Sequence, residues 1–192
     1  MNNDKTNISK GLPKASGALY WAPAGTPLPT DATSALDAKY VNLGYVTEDG
    51  LTDTTAEDGD DVKAWGNEVV MHSQTGFAKT FKFNLLEVSR VAVLQFIYGK
   101  DNVTVAADKS VSWDETGEAL PRGVLVIDTL YSNGTEPRFK RVVVGDAQFT
   151  DRSGDLAHNN SDALSYPVTV TGYKFTSGNK TVYTKTFLSK PV

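Results

Sequence analysis

Two short runs limit the choice of fold more than anything else in the chain. Leu125-Val126-Ile127 and Val142-Val143-Val144 are apolar at consecutive positions and flanked by β-type residues. Successive side chains of a strand point to opposite faces, so these strands are apolar on both sides. A half-solvated sheet does not need that. They require cover on both faces, from a helix or from another subunit. Elsewhere the period is two with one apolar face, as in "FAKTFKF", where Phe77, Phe81 and Phe83 align.

One segment breaks the rhythm. In "NLLEVSRVAVLQFIYG" the apolar residues Leu85, Val88, Ala92 and Phe96 recur at helical spacing, Asn84 and Glu87 have the offset of a capping box, and Gly99 is placed as a stop. The sequence predicts a mainly β protein, an antiparallel β-sandwich or barrel-like sheet with one flanking α-helix over 84–98. Hairpins are expected to turn at Asn133-Gly134 and near Gly178-Asn179, and a bulge at Gly172, where the apolar parity slips. "GALYWAP" reads as a strand stopped by Pro23, and the Pro- and Thr-rich stretch after it as a connection. Residues 1–17, polar but for the anchors Ile8 and Leu12, read as a flexible arm, and 18–192 as one domain.

Charge is distributed unevenly. The formal net charge is −4, yet Glu48, Asp49, Asp53, Glu57, Asp58, Asp60 and Asp61 fall in one stretch without a Lys or Arg. The remainder of the chain is therefore net positive. The acids and glycines of 47–63 predict a long acidic loop, with Trp65 packed at its base. Opposed to it is a basic trio, Arg138, Lys140 and Arg141, too small for a duplex footprint but suited to an electrostatic contact between copies.

The usual chemistries are not encoded. There is no cysteine and there are two histidines, His72 and His158, so disulfide, thiolate and multi-His metal sites are excluded. No nucleotide-binding or nucleophile-elbow motif occurs. Asp58, Asp60 and Asp61 miss the offsets of an EF-hand loop, and the Asp and Glu pairs that a hydrolase would need are what any acidic stretch supplies. No cofactor, metal or catalytic residue is expected. The N-terminus has no apolar core of a signal peptide and no run spans a bilayer, so no membrane partner is expected and the five Asn-x-Ser/Thr matches read as chance.

The order of pieces resembles the major tail protein, or tail tube protein, of long non-contractile-tailed bacteriophages, in the type found in phages of actinobacteria. The resemblance is carried by "GALYWAPAGTPLPTDATSALDAKYVNLGYVTEDGLT" (17–52), "DVKAWGNEVV" (61–70), "FKFNLLEVSRVAVLQFIYG" (81–99) and "GDAQFTDRSG" with "LSYPVTVTGY" (145–173). It implies a structural subunit, not an enzyme, in hexameric rings whose sheets join into a barrel. The rings stack into a tube that encloses the tape measure protein, meets tail terminator and tip proteins, and conducts DNA without binding it specifically. It places the protein in the virion tail, assembled in the host cytoplasm. It implies that 47–63 is the ring-stacking loop, that its acids face a neighbouring ring or the lumen, and that the arm to Gly17 orders on assembly. Some relatives carry an immunoglobulin-like domain, which is not expected after "TFLSKPV". The alternatives are another β-rich virion protein, such as a decoration or terminator protein, a glycan- or calcium-binding sandwich, and a hydrolase.

Overall fold

The computed structural model describes residue 3 and residues 8–132, 136–152 and 154–191. The fold is mainly β and antiparallel with one helix. In chain order the strands are β1 (Lys10–Pro13), β2 (Leu19–Pro23), β3 (Val41–Asn42), β4 (Val46–Lys63), β5 (Val69–Leu85), β6 (Val103–Val105), β7 (Val111–Trp113), β8 (Gly123–Ser132), β9 (Arg138–Asp151), β10 (Tyr166–Gly172), β11 (Phe175–Ser177), β12 (Lys180–Val182) and β13 (Lys185–Leu188). Nine of them form one sheet in the order β3-β2-β8-β9-β10-β5-β4, with β1 added on β8 and β13 on β9. The pairs β6–β7 and β11–β12 are separate. The second turns at Gly178-Asn179, between paired Ser177 and Lys180. The expected Asn133-Gly134 turn lies outside the described residues.

The two doubly apolar runs are covered within the chain. Leu125, Ile127, Val142 and Val144 join the main core, with Phe81, Phe83 and Leu85 of β5, Val168 and Val170 of β10, and the helix α1 (Val91–Tyr98). Val124, Val126 and Val143 point the other way, into a smaller core with Ala22, Tyr40, Leu28, Leu36 and Phe187. The second cover is thus the connection between β2 and β3, which the sequence presents only as a Pro- and Thr-rich link. No second subunit is needed there.

That connection is held by a buried ion pair. Asp128 and Arg141, paired across β8 and β9, are 2% and 1% exposed. Arg141 donates from Nε and Nη2 to the two carboxylate oxygens of Asp128, each at 2.7 Å. Its Nη1 donates to the carbonyls of Asp31 and Ser34 at 3.1 and 2.9 Å. Those carbonyls are presented by a tight turn in which Asp31 Oδ1 accepts from the backbone N–H of Thr33 and Ser34; the same bonds, led by that from Ser34, lower the Asp31 pKa. The hydrogen bonds to Asp128 raise the pKa of Arg141 against the opposing effect of burial. Tyr40 completes the lid: its hydroxyl donates to the Pro27 carbonyl at 3.0 Å, and burial, with help from Asp37, pushes its pKa up to about 12.

The helix is shorter than the sequence predicts. Asn84 and Leu85 still belong to β5, opposite Pro167 and Tyr166, because Phe81, Phe83 and Leu85 keep period two on one buried face. Glu87 is therefore no capping residue. It accepts from the Tyr45 N–H at 3.1 Å and from Arg90 Nη1 at 2.8 Å, and it fills the space where a Cβ on Gly44 would meet its carboxylate at 2.4 Å. Gly99 does end the helix, with φ 93° and its N–H on the Gln95 carbonyl. The bulge expected at Gly172 is not there: the register shift falls between Thr169 and Val170, and Gly172 is the last residue of β10.

Candidate assembly interface

The acidic stretch is not a loop. Residues 46–63 form β4, which pairs with β5 from Leu51↔Phe83 out to Lys63↔Val69. Thr and Val supply the strand preference. The counter-strand supplies partners that the local sequence lacks: Asp53 makes an ion pair with Lys79, and Asp61 Oδ1 lies 2.7 Å from His72 Nδ1. β10 covers β5 only from Lys79 to Leu85. Beyond that point, residues 56–78 form a two-stranded ribbon in which Phe77 packs on Tyr183, with centroids 4.4 Å apart. A lone ribbon of this kind is marginal without further contacts.

Among the described residues, a group of exposed large apolar side chains gathers at its tip. Trp65 is exposed to 107% of its reference area, and Val62, Val69, Val70 and Met71 are exposed around it. Trp65 sits in a tight turn closed by Ala64 and Glu68, Ala64 N–H donating to the Glu68 carbonyl at 2.8 Å, with Asn67 at φ 71°. It does not pack at the base of anything. Alternation along β4 puts Asp58, Asp60 and Val62 on one face and Asp53, Glu57 and Asp61 on the other. Glu48 and Asp49 lie nearer the root, within the register shift between Val46 and Leu51.

The basic trio divides. Arg141 is consumed by Asp128 and the lid, so it is unavailable to a neighbour; a charge inside β9 must be paired to be buried. Arg138 and Lys140 remain near the surface, Arg138 at 3.7 Å from Glu136 and Lys140 donating to the Tyr131 hydroxyl at 2.6 Å. The arm contributes to the same region. Lys10–Pro13 is already a strand in the single chain, paired with Thr129–Ser132 of β8, so this part of the arm does not wait for assembly. Lys14 reaches the buried Asp128 at 3.5 Å. Ile8 and Leu12 are exposed.

Among the described residues, no group of three His, Asp or Glu side chains is arranged to hold a metal, and no helix is long and apolar enough to cross a membrane. The family model for phage tail tube proteins matches residues 4–190, nearly the whole chain.

The chain belongs to that family. It is a structural subunit of a phage tail tube, a component of the virion tail that assembles into a tube with other tail components. No curated protein matches it in sequence. A tube subunit gives the ribbon a reason: an exposed tryptophan among four exposed aliphatic side chains is poorly suited to a free monomer and well suited to an assembly.

Proposed function

We propose that this tail tube protein forms hexameric rings that stack into a tube, and that the β4–β5 ribbon bridges each ring to the next. The observation that carries the reading is the ribbon itself: a long projection, covered by the rest of the sheet only at its root, with Trp65 fully exposed at its tip. The sixfold count, enclosure of the tape measure protein, contacts with terminator and tip proteins, and assembly in the host cytoplasm rest on the family resemblance. A heterologous contact, one patch of a copy against a different patch of the next, is what propagates such an assembly.

The acids have a second use in this setting. A lumen with surplus carboxylates repels phosphates, the reverse of the counterion-release grip by which proteins hold DNA, so the genome slides through without specific binding. Glu57, Asp58 and Asp60, which meet no cation among the described residues, are the acids best placed to serve in the lumen or at the ring contact.

Negative-stain microscopy of the purified protein tests the reading. Rings with sixfold class averages, or tubes with a regular axial repeat, are the expected result; a protein monomeric at every concentration, even with tape measure and initiator proteins present, overturns it. Removing residues 1–9 is expected to leave the melting temperature within about 2 °C, since Ile8 is exposed and β1 is kept, while tube assembly becomes slower.

A further inference from the structure

The ribbon tip needs an acceptor, and the molecule carries one far from its own tip. Between the arm and the root of β4 lies an open groove of about 900 Å³. Its apolar lining includes Leu12, Tyr45, Val46, Ile127 and Val142. That is ample room for an indole and the aliphatic side chains beside it, and aromatic side chains dominate the energetics of such contacts.

The charges match in one orientation. The ribbon beyond β10, residues 56–78, holds five carboxylates against one lysine. The arm side of the groove carries Lys14 and Lys140, with Lys10 and Arg138 next to them on β1 and β9, flanking Tyr131 and Ser132 of β8. The opposite wall carries Glu48, Asp53 and Glu87; Asp53 and Glu87 have Lys79 and Arg90, and Glu48 keeps that side acidic, which turns the ribbon's carboxylates toward the arm side. A tip seated with Val62 and Met71 on the groove floor brings Asp58 and Asp60, on the same face of β4, to the basic side.

A chain cannot make this contact with itself. Trp65 and Leu51, which lines the groove, lie on one ribbon, separated by about 45 Å of strand. The occupant must come from another copy.

We infer that the tip of the β4–β5 ribbon, led by Trp65, docks into the groove between the arm and the β4 root of a second copy, with Asp58 and Asp60 against Lys10, Lys14, Arg138 and Lys140. The inference rests on the ribbon bridging copies and adds where it lands. It also limits the geometry. If successive rings share one orientation, the axial step between them cannot exceed the tip-to-groove separation, about 45 Å.

The absence of cysteine makes the test direct. Protein carrying Ala64→Cys, which keeps Trp65 at the tip, is mixed with protein carrying Leu12→Cys, assembled into tubes and oxidised. The expected result is a reducible dimer band on the order of tenfold stronger than from a control mixture of Ala64→Cys with Trp113→Cys, as apposed thiols have a far higher effective concentration than chance encounters. As a second measurement, Asp58→Lys with Asp60→Lys abolishes tubes, and adding Lys10→Glu and Lys140→Glu restores them. Tubes that form without the specific cross-link, or folded charge-swapped subunits that fail to reassemble, overturn the docking site while leaving the bridging ribbon intact. An unmodified chain that never forms rings or tubes overturns the bridging reading and the docking site together.

Discussion

Replacing Asp128 with alanine is expected to cost the isolated subunit about 3–5 kcal/mol, because it leaves a buried charge without its counter-ion. For a chain of this length that lowers the melting temperature by on the order of 10 °C. Arg141 is 1% exposed, and without the carboxylate its guanidinium keeps only the carbonyls of Asp31 and Ser34. Neither offsets a full charge. The lid over Val124, Val126 and Val143 is tied down through the same guanidinium, so loosening it also uncovers the smaller core. The companion variant Asp128→Ala with Arg141→Leu is expected to recover a substantial part of the stability, since removing both charges relieves the desolvation that one orphaned charge imposes. Thermal unfolding followed by circular dichroism, at a concentration where the protein is monomeric, measures both. A fall of less than about 2 °C for the single variant would show that the pair contributes little.

This also bears on how variants of β9 are interpreted. Replacing Arg141 abolishes assembly by damaging the subunit, whereas Arg138 and Lys140 can be changed at the surface. The distinction is not visible in the sequence. Three basic residues within four positions look alike there, although in a strand Arg138 and Lys140 point one way and Arg141 the other. Which face is buried depends on a lid whose residues lie about 110 positions away.

Local patterns that do not depend on such distant partners are legible. Period-two spacing at Phe81, Phe83 and Leu85, the two doubly apolar runs, the stop at Gly99 and the turn at Gly178-Asn179 are all decided by neighbouring residues, and they appear as expected. The helix start is misplaced by the local pattern for a physical reason. Leu85 fits a helical face and a strand face equally, and Asn84 suits a cap, but pairing with Tyr166 and Pro167 extends the strand past both. The acidic stretch looks like a loop because its charge hides its strand character. Thr52, Thr54, Thr55 and Val62 are strand formers, and the side chains that partner its acids, Lys79 and His72, come from β5. Trp65 looks like a packing residue because burial is the common fate of tryptophan; no local residue announces that the ribbon will carry it away from the sheet.

Changing Asp58, Asp60 and Asp61 together to lysine is expected to abolish tube formation at concentrations where the unmodified chain assembles, while shifting the melting temperature by no more than about 2 °C. All three side chains are exposed. Of the side-chain contacts within the subunit the change breaks that of Asp61 with His72, 2.7 Å apart but 48% and 68% exposed, and contacts that exposed contribute little to stability. The substitutions turn the distal ribbon from net negative to net positive, so a contact that seats it against basic groups becomes repulsive. Salt separates this electrostatic account from a purely apolar one. Near 1 M ionic strength the screening length falls to about 3 Å, and the triple variant should regain part of its assembly through Trp65, Val62 and Met71, whose burial does not depend on charge. Sedimentation of assembled material across a salt series, with parallel melting curves, provides the measurement. Assembly of the triple variant at ordinary salt to the same extent as the unmodified chain would mean that these acids serve something other than the contact between copies, and the lumen would then be the place to look for them.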